Sequence, residues 1–144
     1  AGQDRMEGYL EAMDAAGLGR DKKWVKKGGF LRTPARTAAQ ALFKAEDKPT
    51  AIFAASDLMA LEVLAVAQAM DIKVPEDCSV IGFDHNLALA GVAGKLATFE
   101  QPIADMARVG IESLYQMTLG LAQLPVKILM EAKFVKGKTA GALK

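Results

Sequence analysis

The feature that most constrains the fold is an alternation of short apolar runs with longer amphipathic segments. Residues 51–55 form an apolar run, a strongly apolar helical segment follows to about residue 70, and a turn at 74–77 leads into a second run at 78–83. Runs of this length are typical of strands that are buried on both faces of a parallel sheet. Strands alternating with helices therefore predict an α/β fold with a doubly wound parallel sheet.

The flanking regions extend this alternation in both directions. Helices are predicted where apolar residues recur at helical spacing, and strands where short apolar runs are bounded by glycine or proline. Before residue 51 we expect a helix over 4–17, a short strand over 22–30 and a helix to residue 45 that Thr33 caps and Pro34 opens. After residue 83 we expect a short strand over 96–99, a helix from Pro102 to Gly120 and a final strand over 126–135.

The charge balance excludes several kinds of partner. The chain carries 18 Lys and Arg residues against 17 Asp and Glu residues, so its formal charge of +1 provides no overall field for nucleic acid or anionic lipid. The one basic cluster, four lysines within 22–27, is interpreted as a solvated edge rather than a phosphate site. The longest apolar stretch, 58–70, contains Glu62 and is too short to span a bilayer. No membrane partner is therefore predicted.

Cysteine and histidine usage limits the chemistry. Cys78 is the single cysteine, which excludes an intrachain disulfide and a thiolate metal cage and suits a reducing, cytoplasmic compartment. Its place at the start of a buried strand favours a small core side chain. His85, the single histidine, stands beside Asp84, but two groups are too few for a metal site and no paired nucleophile accompanies them. We predict no metal, no cofactor and no catalytic residue.

Polar side chains follow the predicted strands at the points where the strands end. In an open parallel sheet, ligands bind beyond the carboxyl ends of the strands, because loops and helix N-termini converge there. Arg5, in the first turn of the first helix, faces the same edge if a strand precedes it. We expect one ligand-binding rim there, formed by Arg5, Phe30, Ser56, Asp57, Phe83, Asp84 and Gln101.

The residue types at this rim suit a neutral, hydroxyl-rich ligand. Carboxylate and amide oxygens accept hydrogen bonds from sugar hydroxyls, arginine donates in pairs, and a phenyl ring covers an apolar C–H face. Asp57 and Asp84 could instead form the acid and base pair of a glycosidase. Each also has a structural alternative, Asp57 as a helix cap and Asp84 as a turn residue. His85 is interpreted as bordering this rim or lying on the surface.

The segment 49–85 carries a resemblance to a known family. Its sequence, "PTAIFAASDLMALEVLAVAQAMDIKVPEDCSVIGFDH", closely resembles the lactose-repressor and galactose-repressor (LacI/GalR) family of bacterial transcription regulators. The pieces "RMEGY", "KLATFEQP" and "VKILMEAKFVKGKTA" follow the order and approximate spacing of that family, so essentially the whole chain is covered. The resemblance implies a type I periplasmic-binding-protein-like fold, of which this chain is an incomplete C-terminal lobe.

The resemblance implies a sensor rather than an enzyme. It implies that a small effector, a sugar or alternatively a purine or nucleoside, binds between two lobes of a cytoplasmic homodimeric regulator. The family positions that contact effectors match the rim residues named above. The positions implied at the dimer interface are Leu61, Ala65 and Val92. A periplasmic sugar-binding protein of a transport system is the alternative with the same fold.

The resemblance also divides the chain. Residues 1–101 match the C-terminal lobe, 102–123 a helix that packs on the N-terminal lobe in the family, and 124–144 a closing strand and tail. We expect the chain to be part of a longer regulator that contacts DNA only through a headpiece outside this chain. The apolar face of the 102–123 helix is then expected to favour self-association.

Five residues depart from the family pattern. Asp71 stands where glycine is frequent and is expected to alter only the local surface, and Ala97 stands near the rim where threonine is common. Glu62 stands where glycine is frequent and is expected to alter only the local surface. His85 stands where a second aspartate is frequent, which leaves the effector open. Gly137 stands where arginine is usual, which leaves open how the tail is anchored.

Overall fold

The computed structural model describes residues 2–19, 21–86, 95–121 and 127–142. Helices and strands alternate through most of it, as the sequence predicts. Its elements are α1 (Gly2–Ala15), a 3-10 helix (Lys22–Trp24), α2 (Arg32–Phe43), β1 (Ala51–Phe53), α3 (Asp57–Ala69), β2 (Ser79–Ile81), β3 (Thr98–Glu100), α4 (Ile103–Thr118) and β4 (Lys133–Val135).

The strands form two pairs, β1-β2 and β3-β4, which lie side by side. β1 pairs in parallel with β2, with Ile52 opposite Val80. Single parallel bridges, Ile81 to Ala97 and Asp84 to Glu100, bring the β3 segment alongside the β2 segment. β4 runs antiparallel to β3. The parallel α/β arrangement is therefore confirmed, with an antiparallel strand at one edge. The chain segments that follow β2 and β3 lie side by side.

The core lies where α2 and α3 meet each other and the β1–β2 pair. One buried cluster joins these elements: it contains Phe43 of α2, Ala60 and Val63 of α3, and Ile52 and Val80 of the strands. Burying a side chain such as Phe43 contributes about 1.5–3 kcal/mol relative to leaving it exposed. This packing gives α3 a fixed position from which its first turn reaches the end of β2 and the start of β3.

The strand expected over 22–30 is wrong. The 3-10 helix is there instead, begun by Asp21, whose side chain accepts a hydrogen bond from the backbone N of Lys23. A strand requires a neighbour for its backbone hydrogen bonds. The backbone here is used by the 3-10 helix instead, since the Trp24 N–H donates to the Asp21 carbonyl and the Val25 N–H to the Lys22 carbonyl.

The start of α2 also differs from the prediction. The helix begins at Arg32, its N-cap is Leu31, and no side chain caps it. The backbone N of Leu31 already donates to the Gly28 carbonyl in a tight turn, which starts the helix before Thr33. Pro34 still falls in the first turn, where its missing N–H is not needed.

Helix α4 ends as its sequence predicts. Gly120 has φ +70°, a left-handed conformation that glycine adopts readily. Its N–H donates to the Met117 carbonyl, and the Leu121 N–H donates to the Gln116 carbonyl. These two bonds form a Schellman motif. Neither α4 nor α1 has a buried residue.

The expected strand over 126–135 is largely wrong, since only Lys133–Val135 form a strand and residue 126 lies outside the described ranges. The tail beyond β4 is nevertheless anchored. Thr139 Oγ1 donates to the Val80 carbonyl at 2.7 Å and accepts from the Ala97 N–H at 2.9 Å. A Cβ added to Gly137 would lie 2.2 Å from the Ala97 nitrogen. Glycine therefore lets the tail approach the sheet at that position.

Glu62 is not a surface residue, contrary to the expectation. Its side chain is 4% exposed, and its two oxygens lie 2.8 Å from guanidinium nitrogens of Arg32 and Arg36. Helix α2 packs over α3 and covers the carboxylate, while both arginines remain more than half exposed. The ion pairs fasten α2 to α3.

No helix in the described ranges has the length and apolarity needed to cross a bilayer.

Candidate functional site

The Asp84 carboxylate is the meeting point of the predicted rim. Its Oδ1 accepts a 2.7 Å hydrogen bond from Gln101 Nε2 and lies 3.3 Å from Arg5 Nη2. Asp84 follows β2, Gln101 follows β3, and Arg5 lies in the first turns of α1, so three separate elements supply the group. The Arg5 side chain is 16% exposed and that of Asp84 is 34% exposed, which leaves the carboxylate accessible to a small ligand.

Arg5 is held by more than this ion pair. Its Nη1 donates to the Ala55 carbonyl, two residues after β1. Its Cζ lies 4.0 Å from the centroid of the Phe83 ring and 5.9 Å from that of Phe30. A guanidinium over an aromatic face is stabilised electrostatically and keeps its donor directions fixed. The structure therefore brings Arg5, Phe30, Phe83, Asp84 and Gln101 together.

The backbone at this rim is unusual. Phe30 has φ +56°, Asp84 has φ +113° and His85 has φ +51°. Left-handed conformations in residues other than glycine cost on the order of 1–3 kcal/mol each and concentrate at ligand sites and switch regions. Three of the four such residues in the described ranges lie at the rim, the fourth being Asp71.

A cleft opens beside Asp84 and reaches the start of α4. It has a volume of about 290 Å³, near the lower end of the range typical of small-molecule sites. Its lining consists of Asp84, His85, Glu100, Gln101, Pro102, Ile103, Ala104 and Asp105. The carboxylates of this lining outnumber its cations, since Arg5 lies outside the lining and is already paired. The cleft therefore favours ligands that donate hydrogen bonds.

The electrostatic state of Asp84 supports the same interpretation. Burial raises the pKa of the Asp84 carboxyl above its ordinary value of 3.8, the charge of Asp57 adds to this, and the Arg5 guanidinium offsets it only in part. A raised pKa means that the ionised carboxylate is less well solvated here than in water. A ligand hydroxyl that donates to Asp84 would replace part of the lost hydration.

Ser56 and Asp57 begin α3 and face protein groups. Ser56 Oγ accepts from the Met59 backbone N–H at 3.3 Å, the geometry of an N-cap. Asp57 is 1% exposed, and its two oxygens accept from Thr98 Oγ1 and the Asn86 backbone N–H. Neither side chain lines the cleft. Their predicted contact with an effector therefore stays a prediction that would require a rearrangement.

Sequence reasoning missed Thr98 and Asn86. Thr98 is 2% exposed and donates to Asp57 from the first residue of β3, and Asn86 contributes through its backbone. The one signal available for Thr98 is a polar residue within an apolar strand. No signal in the sequence distinguishes the Asn86 backbone from that of any other loop residue.

The predicted dimer contacts have different environments. Leu61 is buried within the chain, Ala65 is exposed on α3, and Val92 lies outside the described residues. Across the ranges that the structure describes, no three His, Cys, Asp or Glu side chains form a group able to hold a metal ion.

Comparisons with known proteins identify the family of this chain. A family profile described as a periplasmic binding protein-like domain matches residues 1–140. The chain is 34% identical to the HTH-type transcriptional regulator CelR of Thermobifida fusca over 131 residues, covering 91% of this chain and 38% of that protein. It is 32% identical to the HTH-type transcriptional repressor PurR of Aliivibrio salmonicida (strain LFI1238) over 114 residues, covering 79% of this chain and 34% of that protein.

A solved structure is similar over nearly the whole chain. The transcriptional regulator CelR–cellobiose complex superposes with a TM-score of 0.88 at 32% identity, over 96% of this chain and 42% of that chain. The chain thus spans less than half the length of each of these three proteins.

Proposed function

Because this chain belongs to the periplasmic-binding-protein-like domain family, as part of the effector-binding core of LacI-type regulators, we propose that it is one lobe of a transcription regulator's effector sensor. The effector binds at the rim formed by Arg5, Asp84 and Gln101, and no reaction follows. The observation that carries the proposal is the Asp84 carboxylate, held by Gln101 at 2.7 Å and left partly open beside a cleft.

The effector is a neutral polyhydroxyl compound. Asp84, Glu100 and Asp105 give the cleft an acidic lining, which repels phosphates and carboxylates and accepts from hydroxyl groups. The complex of a similar regulator with cellobiose supports a carbohydrate. Purines and nucleosides, which the family resemblance also admits, form the competing ligand class.

The sensor acts by changing the balance between two conformations. Residues 1–101 form the lobe, the segment 102–123 that contains α4 packs on a second lobe, and 124–144 supply a closing strand and tail. Closure of the lobes on the effector shifts the regulator only through a difference in affinity between the open and closed states. The regulator is a cytoplasmic homodimer paired through α3 with Ala65, and through Val92. Leu61, the third predicted contact, is buried within the chain and would reach a partner only after a rearrangement. The regulator contacts DNA through a headpiece outside this chain.

Two other functions are less well supported. A transport binding protein shares the fold, but the similar proteins described above are transcription regulators. A glycosidase would need Asp57 and Asp84 as a working pair. Asp57 is buried with both oxygens accepting from protein donors, which argues against the pair.

Calorimetric titration of the protein at its full natural length tests the proposal. Neutral sugars, sugar phosphates, nucleosides and purines form the ligand panel. We expect a neutral sugar to bind and Asp84→Ala to weaken it about 5- to 150-fold, because buried hydrogen-bond partners lose about 1–3 kcal/mol when left unpaired. Asp47→Ala, which removes a surface carboxylate paired with Lys23, is the matched control. Binding of purines alone, or unchanged affinity in Asp84→Ala, contradicts the proposal.

A further inference from the structure

Asp57 is among the least exposed charged residues in the described ranges. It is the first residue of α3 and is 1% exposed. Oδ1 accepts a 2.5 Å hydrogen bond from Thr98 Oγ1, and Oδ2 accepts a 2.8 Å bond from the Asn86 backbone N–H. Its own backbone N–H donates to the Phe83 carbonyl at 2.8 Å. A buried carboxylate is costly unless such donors satisfy it.

The partners of Asp57 lie on the two chain segments that carry Asp84 and Gln101. Phe83 and Asn86 immediately precede and follow the pair Asp84–His85. Thr98 begins β3, the strand that leads to Gln101. One buried residue is therefore bonded to both chain segments that deliver the hydrogen-bonded pair Asp84 and Gln101.

The segment between these bonds needs such support. Asp84 has φ +113° and His85 has φ +51°, conformations that persist only where the surrounding structure holds them. Hydrogen bonds from Asp57 on both sides of the pair supply that hold. Without these bonds, the backbone of Asp84 and His85 would relax toward ordinary φ angles, and the Asp84 carboxylate would move.

The end of β2 is shaped to admit the Asp57 carboxylate. A Cβ added to Gly82 would lie 2.4 Å from Asp57 Oδ1 and 3.3 Å from the Ala60 Cβ. A side chain at this position would displace the carboxylate. The close approach is independent of the hydrogen bonds and indicates that the backbone and Asp57 fit one another.

We infer that Asp57 is the positioning residue of the effector site: it does not contact the effector, but holds the Asp84–His85 turn and the start of β3 in register. This inference rests on the proposed function only for its consequence on affinity. Its structural part, that Asp57 fixes the conformation of the Asp84–His85 turn, depends only on the contacts within this chain.

Hydrogen exchange of the Asn86 amide, followed by NMR on the full-length protein, tests the structural part. Asp57→Ala removes the acceptor, so we expect exchange at Asn86 to accelerate at least about tenfold. Asp57→Asn can accept from Asn86 and donate to Thr98 Oγ1, so exchange should stay near that of the unaltered protein. The matched control is Asp77→Ala, which removes a carboxylate that accepts from the Lys73 backbone N–H at 2.8 Å before β2 and should leave Asn86 unchanged.

Unchanged exchange at Asn86 in a folded Asp57→Ala protein would overturn the inference. If that variant does not fold, Thr98→Val serves in its place, because it removes one anchor of the carboxylate while keeping the side-chain shape. We expect an intermediate acceleration at Asn86 in Thr98→Val, and unchanged exchange there would equally overturn the inference.

A double-mutant cycle with a bound neutral sugar separates positioning from direct contact. We expect Asp57→Ala to weaken binding, Asp57→Asn to restore it, and the double variant Asp57→Ala/Asp84→Ala to bind no worse than Asp84→Ala alone. Losses that add would mean a direct contact and overturn the inference. Absence of any sugar binding would refute the proposed function, while the exchange rates would still decide the role of Asp57.

Discussion

Gln101 Nε2 donates a 2.7 Å hydrogen bond to Asp84 Oδ1, joining the residues that follow two neighbouring strands. The bond occupies one of the acceptor positions of Oδ1. Because Arg5 approaches the same oxygen, the second oxygen of Asp84 is the natural acceptor for a ligand. A single pair of residues thus defines the orientation of the site.

The ionised Asp84 carboxylate should lower the stability of the folded protein at neutral pH. We expect it to be kept because it binds the effector. Burial raises its folded-state pKa above the ordinary 3.8, so its contribution to stability is present below about pH 3.8 and is lost as the pH rises through the folded value. We therefore expect Asp84→Asn to melt at the same or a higher temperature than the unaltered protein at pH 7, with a smaller difference at pH 3.5. Scanning calorimetry at the two pH values measures this. A clearly lower melting temperature at pH 7 would contradict it.

Cys78 should react slowly in the native state. Burial raises the pKa of its thiol from 9.0 to about 11, with a smaller contribution from the charge of Asp77. The thiolate is the reactive form, so alkylation by iodoacetamide at pH 7.5 should be much slower than in urea. Equal rates in the two states would contradict the burial.

The same thiol should couple stability to alkaline pH. Its folded pKa lies above its unfolded pKa, so the stability contribution is present below pH 9 and is lost between about pH 9 and pH 11. The two-unit difference corresponds to about 2–3 kcal/mol. Urea unfolding of the unaltered protein and of Cys78→Ala across this range isolates the effect, because lysines and tyrosines titrate in both.

Thr139 should anchor the tail to the sheet. Thr139→Val leaves the Val80 carbonyl and the Ala97 N–H without the hydroxyl that bridges them. We expect a loss of about 2–4 kcal/mol in the free energy of unfolding, since each buried unpaired group costs about 1–3 kcal/mol. Thr37→Val, which removes an exposed hydroxyl bonded to the Thr33 carbonyl, should change it by about 0.5 kcal/mol or less. Similar losses in both variants would refute the anchoring role.

The buried Glu62 carboxylate should be compatible with a stable fold only while Arg32 and Arg36 pair with it. Removing both in Arg32→Ala/Arg36→Ala leaves a buried carboxylate without a partner and is expected to cost about 3–5 kcal/mol. Adding Glu62→Gln should recover most of that loss, because the neutral amide is cheaper to bury. Chemical denaturation of the double and triple variants measures the two free energies of unfolding to be compared. No recovery would indicate that packing, rather than charge, holds α2 on α3.

Local sequence patterns predicted most elements of the fold. The apolar periodicity of α3 and α4, the glycine at the end of α4 and the runs that become β1 and β2 each depend on residues close together in the chain. The strand expected over 22–30 and the long strand expected over 126–135 were wrong because a strand also depends on a neighbour. Periodicity contains no information about whether that neighbour is present.

The convergence of the rim was also predictable, since parallel strands deliver their following residues to one edge. The different environments of its two aspartates were not.

What the sequence determined by itself was therefore the alternation of elements and the edge at which their polar residues gather, because both follow from local spacing and from the direction of parallel strands. Only the tertiary structure decided that Asp84 faces a cleft while Asp57 is buried. That difference arises from donors 29 and 41 residues away from Asp57, and hydrogen bonds over such separations exist only once the chain has packed.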